Sequence, residues 1–283
     1  MKIAIVGDAS RSHAWEQHLM PHNIVREVIM SPTISGINKA DACFLLDDSS
    51  DNLDTLINTL QKGLHTFLVS RLPMQVAKLE KVSRIAEEAR VLLQFAHWPS
   101  LAPATQVMMS NLSKPTFIHI TREISHNQSF ESEIELEHLW VDEVGFCLKF
   151  MDSGIHHIEA KQLTIHPDRH LGIQLFIRFE NGGSAGIYIN SGSNQQHHKR
   201  VVTDGRLLME CDVQQQTVKK GRMNSSNHLT YSKEEFNPAK SAEKAALQFL
   251  KAIQLGKEPI FTIHDLLKLS RTSEKIRARI QQF

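Results

Sequence analysis

The sequence predicts an α/β protein in two parts: an N-terminal Rossmann-like parallel sheet, then a C-terminal α+β domain with a mostly antiparallel open sheet. Three observations carry this reading. Short apolar runs alternate with amphipathic helical stretches over roughly the first 110 residues, the pattern of βαβ units. The alternation ends after Pro115, where strand-like runs joined by the turn signal Glu180-Asn181-Gly182-Gly183 take over. A length of 283 residues suits about two domains, and the change of pattern places them at 1–113 and 114–283.

The elements follow in order. Lys2 to Val6 is an apolar run ending in Gly7, which reads as a fully buried strand. A polar turn over 8–12 leads to a helical stretch from His13 to Met20, stopped at Pro21. Ile24 to Met30 is a second strand, ended by Ser31-Pro32, and Ala40 to Leu46 is a third, followed by Asp47-Asp48-Ser49-Ser50-Asp51. Leu53, Leu56, Ile57 and Leu60 recur at helical spacing, and Gly63 ends that helix. His65 to Val69 is a fourth strand and Val91 to Phe95 a fifth. The helix between them is marked by Val76, Leu79, Val82, Ile85 and Ala86.

In the second half, strands are expected over Thr116 to Glu123 and Ile134 to Trp140, then a helix over Glu143 to Lys161. Further strands are expected over Gln162 to His166, Gly172 to Phe179 and Ser184 to Ser191, with Val201-Val202 and Leu207 to Asp212 continuing the sheet. From Pro238 the helical pattern returns. Ala245, Ala246, Phe249, Leu250 and Ile253 share a face, Gly256 caps, and a last helix runs over Thr262 to Gln282. These terminal helices are candidates to pack back on the first domain.

Composition excludes several function classes. Thirty-two basic against 31 acidic residues leave a net charge of +1, so no bulk field draws nucleic acid or an anionic membrane. No apolar run approaches the roughly 20 residues that span a bilayer. The start runs straight into a strand pattern without the features of a secretory leader, so a cytoplasmic location is expected. Cys43, Cys147 and Cys211 are far apart and odd in number, which argues against a disulfide framework or a thiolate zinc site. Among 16 histidines, the pair His156-His157 and the pair His197-His198 stand out. The second lies in the polar stretch 191–200 and reads as a solvated loop; HExxH is absent, and no metal site is expected. Glycine is scarce, 13 residues in all, for a fold whose cofactor loop usually depends on it.

The first strand-turn-helix is the candidate phosphate site, because a strand ending in glycine before a helix aims backbone N–H groups and the helix N-terminus at one point. The GxGxxG positions are held by Gly7, Ala9 and Ser12, with Ser10, Arg11, Ser12 and His13 as phosphate partners. Asp47 and Ser49 at the end of the third strand are candidates for the ribose side. His97, ending the fifth strand, stands where open α/β sheets place ligand contacts. No carboxylate ends the second strand, and the short spacer up to Asp41 leaves no room for a helix, so the adenine side is expected to be trimmed.

Several stretches, in order, resemble the Gfo/Idh/MocA family of oxidoreductases. Lys39 to Leu46 resembles that family's "DAVVIAT" strand, Gly63 to Leu68 its "GKHVLC", and Ala86 to His97 its "AEEAGVLLQVGH". Asp152-Ser153-Gly154-Ile155-His156 matches "DxGxH", Phe179 to Gly182 resembles "FENG", and Phe249 to Pro259 resembles the closing "FLxAIxxGxxP". The resemblance implies a nucleotide-binding Rossmann domain and a second domain whose open sheet often makes a homo-oligomer. It implies NAD or NADP as cofactor and a small carbohydrate-like substrate. His156 would exchange a proton with a substrate hydroxyl and Asp152 would help orient it. The i, i+4 spacing is expected to put both on one helix face. Glu159 stands at the next family acid. The family's "EKP" lysine is missing. Val69, Ser70 and Arg71 occupy those positions, leaving Arg71 as a cation that does not readily lose a proton, and Lys149 as a possible substitute. Two readings follow: an NAD(P)-dependent oxidoreductase acting on a hydroxyl carbon of a sugar, cyclitol or related molecule, or a catalytically inactive relative with a ligand-binding, regulatory or assembly role.

Overall fold

The computed structural model describes residues 1–37, 39–125, 133–166 and 169–280. The chain divides into two compact units, Met1–Leu101 with Ala239–Ser270, and Ala102–Pro238 with Arg271–Phe283.

The first unit holds a five-stranded parallel sheet of β1 (Lys2–Val6), β2 (Glu27–Ser31), β3 (Ala42–Leu45), β4 (His65–Leu68) and β5 (Leu93–Phe95), in the order β2-β1-β3-β4-β5. Its helices are α1 (Ala9–Leu19), α2 (Asn52–Gln61), α3 (Val76–Ala89) and α4 (Trp98–Leu101). Helix α1 begins four residues before the expected His13. The reason is local: the Asp8 carboxylate accepts the Arg11 N–H at 3.0 Å and caps the first turn. Among its described residues the spacer between β2 and β3 holds a single 3-10 turn over Ile34–Gly36 and no α-helix. Lys62 fastens that turn, its Nζ donating to the Ile34 and Ile37 carbonyls at 3.1 Å each.

Helix α7 (Ser241–Leu255) completes this unit's core. Its Phe249 ring stands edge-on to Phe44 at 5.9 Å and tilted to Phe67 at 5.6 Å, in one cluster with Trp15. Helix α8 (Ile263–Ile280) follows; residues 281 and 282, the end of the expected helix, lie outside the described residues.

The second unit is built on an eight-stranded sheet. Its strands are β6 (Phe117–Ser125), β7 (Ile155–His166), β8 (Arg169–Phe179), β9 (Ser184–Ser193), β10 (His197–Thr203), β11 (Leu208–Asp212), β12 (Thr217–Met223) and β13 (Leu229–Glu235). The order is β13-β12-β11-β10-β6-β9-β8-β7, antiparallel throughout except for β6 beside β9. Helices α5 (Pro103–Asn111) and α6 (Glu133–Met151) belong here. On the sheet's other face Phe117 and Phe176 are exposed.

Three expectations are corrected. Residues 134–140 are helical, as part of α6. Leu136, Trp140, Val144 and Cys147 are all buried at three- and four-residue spacing, so the helical period governs a stretch that resembles a strand over its first seven residues. The expected helix over 143–161 ends at Met151, and 155–166 is strand β7. Asp152 takes a left-handed φ of 43°, which stops the helix. His197 and His198 lie in strand β10, where alternation turns His198, Arg200 and Val202 inward.

That inward row meets a carboxylate. Glu143 of α6 is fully buried and takes two hydrogen bonds from Arg200, Nε at 2.8 Å and Nη2 at 3.0 Å. His198 Nε2 lies 2.9 Å away and Arg122 Nη1 3.7 Å away. Burial works against the ionised carboxyl, but the Arg200 and His198 partners hold Glu143 well below the usual carboxylate range. The guanidinium also stacks 4.6 Å over the Phe146 ring.

Candidate functional site

The carboxyl ends of β1, β2 and β3 open on a cleft of about 520 Å³. Its walls include Val6, Ile34 and Leu46, with Thr33, Asp47, Thr55 and Asn58 as polar groups. Gly7 and Asp8 border it. A side chain at Gly7 would put a Cβ 2.7 Å from the Leu46 Cβ and 2.8 Å from its carbonyl, so only glycine lets β1 leave the sheet this close to β3.

Around the cleft the predicted loop residues come together. Ala9, Ser10 and Arg11 form the first turn of α1, and among the described residues no protein acceptor meets the Ala9 and Ser10 N–H groups. Arg11 donates to the Asp48 carboxylate at 2.5 Å and to the Val69 carbonyl at 3.1 Å. Ser12 is buried and its Oγ meets no protein partner among the described residues; His13 is exposed and lies 3.4 Å from Glu16. Ser49 N–H donates to Asp47 at 2.9 Å. Burial alone would raise the Asp47 carboxyl, but bonds from Ser49 and Thr55 and the charge of Arg11 bring it below its ordinary value. Ser70 accepts from Asn52 at 3.3 Å, and the Arg71 N–H donates to Asp48 at 3.2 Å while its side chain is exposed.

His97 does not join them. It is fully buried, stacked 4.3 Å from the Phe261 ring, with Nδ1 2.7 Å from Ser100 Oγ. The adjoining Trp98 is the exposed group there. The cleft also contains Pro32, Thr33, Thr55 and Asn58, which the sequence reading did not single out. Their spacing carries no motif; the parallel pairing of β2, β1 and β3 brings Pro32 and Thr33 to the cleft, and helix α2 after β3 brings Thr55 and Asn58.

In the second unit, Asp152 and His156 do not share a helix face. Asp152 follows the last turn of α6 and His156 lies in β7, both exposed, with no hydrogen bond between them. The backbone around them is held by the β8–β9 hairpin. Asn181 donates its side-chain amide to the Met151 carbonyl at 3.4 Å and its N–H to Ser153 Oγ at 3.2 Å. Gly154 carries the Glu180 carboxylate where a side chain would sit. In the ladder Ile155 faces Phe179 and His157 faces Arg178, which makes His156 the extra residue of a β-bulge. Bulges re-aim a side chain and are common beside active sites. Glu159 is bound instead by His157, at 3.2 Å. Lys149 sits on the last turn of α6.

No helix among the described residues is long and apolar enough to cross a membrane, and no group of three or more His, Cys, Asp or Glu there could hold a metal.

The chain matches no protein-family model and no curated protein. Solved structures resemble it over its whole length. A UDP-N-acetylglucosamine 3-dehydrogenase from Acidithiobacillus ferrooxidans superimposes with a TM-score of 0.84 at 12% identity, over 100% of this chain and 98% of that one. A dehydrogenase from Clostridium difficile gives 0.80 at 13%, over 99% of each chain. An NAD binding oxidoreductase from Klebsiella pneumoniae gives 0.79 at 10%, over 99% and 96%. At such identities the likeness is one of fold: this chain has the two-domain architecture of the Gfo/Idh/MocA-type dehydrogenases.

Proposed function

We propose that the protein is an NAD(P)-dependent oxidoreductase acting on a hydroxyl-bearing carbon of a sugar, cyclitol or related small molecule. The observation that carries this reading is the cleft of about 520 Å³ at the carboxyl ends of β1–β3. Ligands of open α/β sheets bind at that end. Its donor set fits an adenosine: apolar walls from Ile34 and Leu46, with hydroxyl, carboxamide and carboxylate groups from Thr33, Asn58 and Asp47. The Ala9 and Ser10 amides and the Arg11 guanidinium are donors for the diphosphate.

When bound, the nicotinamide ring supplies the hydride acceptor or donor. The chain's own residues handle the rest. His156 takes the proton of the substrate hydroxyl as the carbon is oxidised and returns it in the reverse direction. Asp152, four positions earlier at the end of α6, is assigned to orient substrate or imidazole. Arg71 binds an oxygen but does not move a proton. The face of the second sheet that exposes Phe117 and Phe176 is assigned to self-association; light scattering that gives a monomer removes this assignment.

The test is titration with NADH and NADPH, followed by fluorescence. Binding of one of them is expected. Failure of both at millimolar concentration refutes the enzyme reading and leaves the inactive relative. With a turned-over substrate in hand, His156→Ala is expected to lower kcat about 100-fold or more with cofactor affinity kept. Unchanged turnover removes His156 from the mechanism.

A further inference from the structure

We propose that Asp48 is a built-in competitor for the diphosphate of the cofactor, occupying the donors of the first unit's loop until a ligand displaces it. The inference rests on the cofactor reading above. Its basis is what the Asp48 carboxylate touches. One oxygen takes Arg11 Nη1 at 2.5 Å and the other takes the Arg71 backbone N–H at 3.2 Å. A guanidinium and a backbone amide converging on one anionic group make the donor pair that phosphate oxygens seek.

Arg11 belongs to the first turn of α1, where an anion is favoured by the helix dipole. Its Nη2 donates to the Val69 carbonyl at 3.1 Å, so the guanidinium is held across the ends of β1, β3 and β4. The Arg11 and Asp48 side chains are 36% and 52% exposed, so the pair can open without uncovering core. Asp8, capping the same turn, adds a second carboxylate beside the diphosphate path. Asp47 points to the other use of this strand end: its Ser49 contact keeps it folded against its own loop at the cleft. Neighbouring aspartates thus have separate parts, Asp47 facing the adenosine cleft and Asp48 holding the phosphate donors.

A diphosphate entering this loop must first break an exposed ion pair. Such pairs are weak, so removing Asp48 should tighten an anionic ligand only about two- to fivefold. A neutral ligand should not respond. The experiment measures dissociation constants of ADP, NADH and adenosine by calorimetry for the wild type, Asp48→Asn, Asp48→Ala and Arg11→Gln, with thermal melts to verify folding. Both Asp48 variants are expected to bind ADP and NADH two- to fivefold more tightly and adenosine unchanged. Arg11→Gln is expected to weaken ADP and spare adenosine. If the wild type binds ADP but the Asp48 variants bind it equally or more weakly, Asp48 is no competitor and the proposal falls while the cofactor reading stands. Loss of the ADP response to Arg11→Gln has the same consequence. If the wild type binds neither ADP nor NADH, the cofactor reading falls and takes this one with it.

Discussion

Replacing Arg200 by Met tests the polar centre of the second unit. The substitution keeps a long unbranched side chain to cover Phe146, now 4.6 Å beneath the guanidinium, but removes both hydrogen bonds to Glu143. Glu143 is 0% exposed and Arg200 2%, so solvent cannot take over the lost partner. Breaking a buried pair from one side typically costs about 3–5 kcal/mol, because the surviving charge is left uncompensated. His198 at 2.9 Å and Arg122 at 3.7 Å offer partial relief, which places the expected loss near the lower end, about 3 kcal/mol. Urea unfolding near neutral pH measures it for Arg200→Met, Glu143→Gln and the double variant. The double variant should lose clearly less than the two singles together, by more than about 1 kcal/mol. Strict additivity, or an Arg200→Met protein within about 0.5 kcal/mol of the wild type, would refute the description of Glu143 as a buried ionised hub.

Two more outcomes are expected. Asp142 is pushed up to about 7, first by burial and then by the neighbouring Glu143 charge. Its folded pKa thus exceeds its unfolded one, so its contribution to stability is present below about pH 4 and lost as pH rises toward 7. Asp142→Asn should remove that slope, read as the difference from wild type in pH-dependent denaturation; parallel curves would count against it. Lys62→Ala removes the two bonds that fasten the 3-10 turn of residues 34–36. It should cost about 1–2 kcal/mol and weaken NADH, since Ile34 lines the cleft. Unchanged stability and affinity together would show that the turn holds without it.

How much of this was legible beforehand depends on which forces acted locally. Four of the parallel strands, β1, β3, β4 and β5, could be read because each is a short, mostly buried run bounded by turn residues, whereas the edge strand β2 was marked by its β-branched residues and the Ser31-Pro32 stop. The ENGG hairpin was legible for the same reason: its turn is written in consecutive residues. Helix α6 was legible only over 143–151: residues 134–140 resemble a strand, and Glu143 on the buried face interrupts the apolar stripe that would join the two parts. Arg200 and His198, more than fifty residues away, are the main partners that make that carboxylate acceptable inside. The same pairing hid β10, whose HHKR segment looks solvated until its inward residues are matched to α6. At the candidate site, Gly7, Arg11 and Asp47 could be picked out by place in a strand-turn-helix, whereas Thr55 and Asn58 lie on a helix with no motif. The helix expected to carry Asp152 and His156 fails for a backbone reason, the left-handed turn at Asp152. The burial of His97 was not legible because Phe261, which stacks on it at the end of β5, comes from a segment far along the chain.

The return of α7 to the first sheet governs the order in which the protein can be made. The ribosome releases Phe44 and Phe67 early, but Phe249, which closes their cluster, emerges about 150 residues after the first stretch of that unit ends. At ordinary elongation rates that gap lasts on the order of ten to thirty seconds. The nascent first unit therefore waits with an aromatic face uncovered while the whole second sheet is synthesised. A fragment cut after residue 101 would keep that face bare permanently. A chaperone that binds apolar surface has its natural window there, and a minimal expressible version of the first unit has to carry residues 239–270 grafted onto its end.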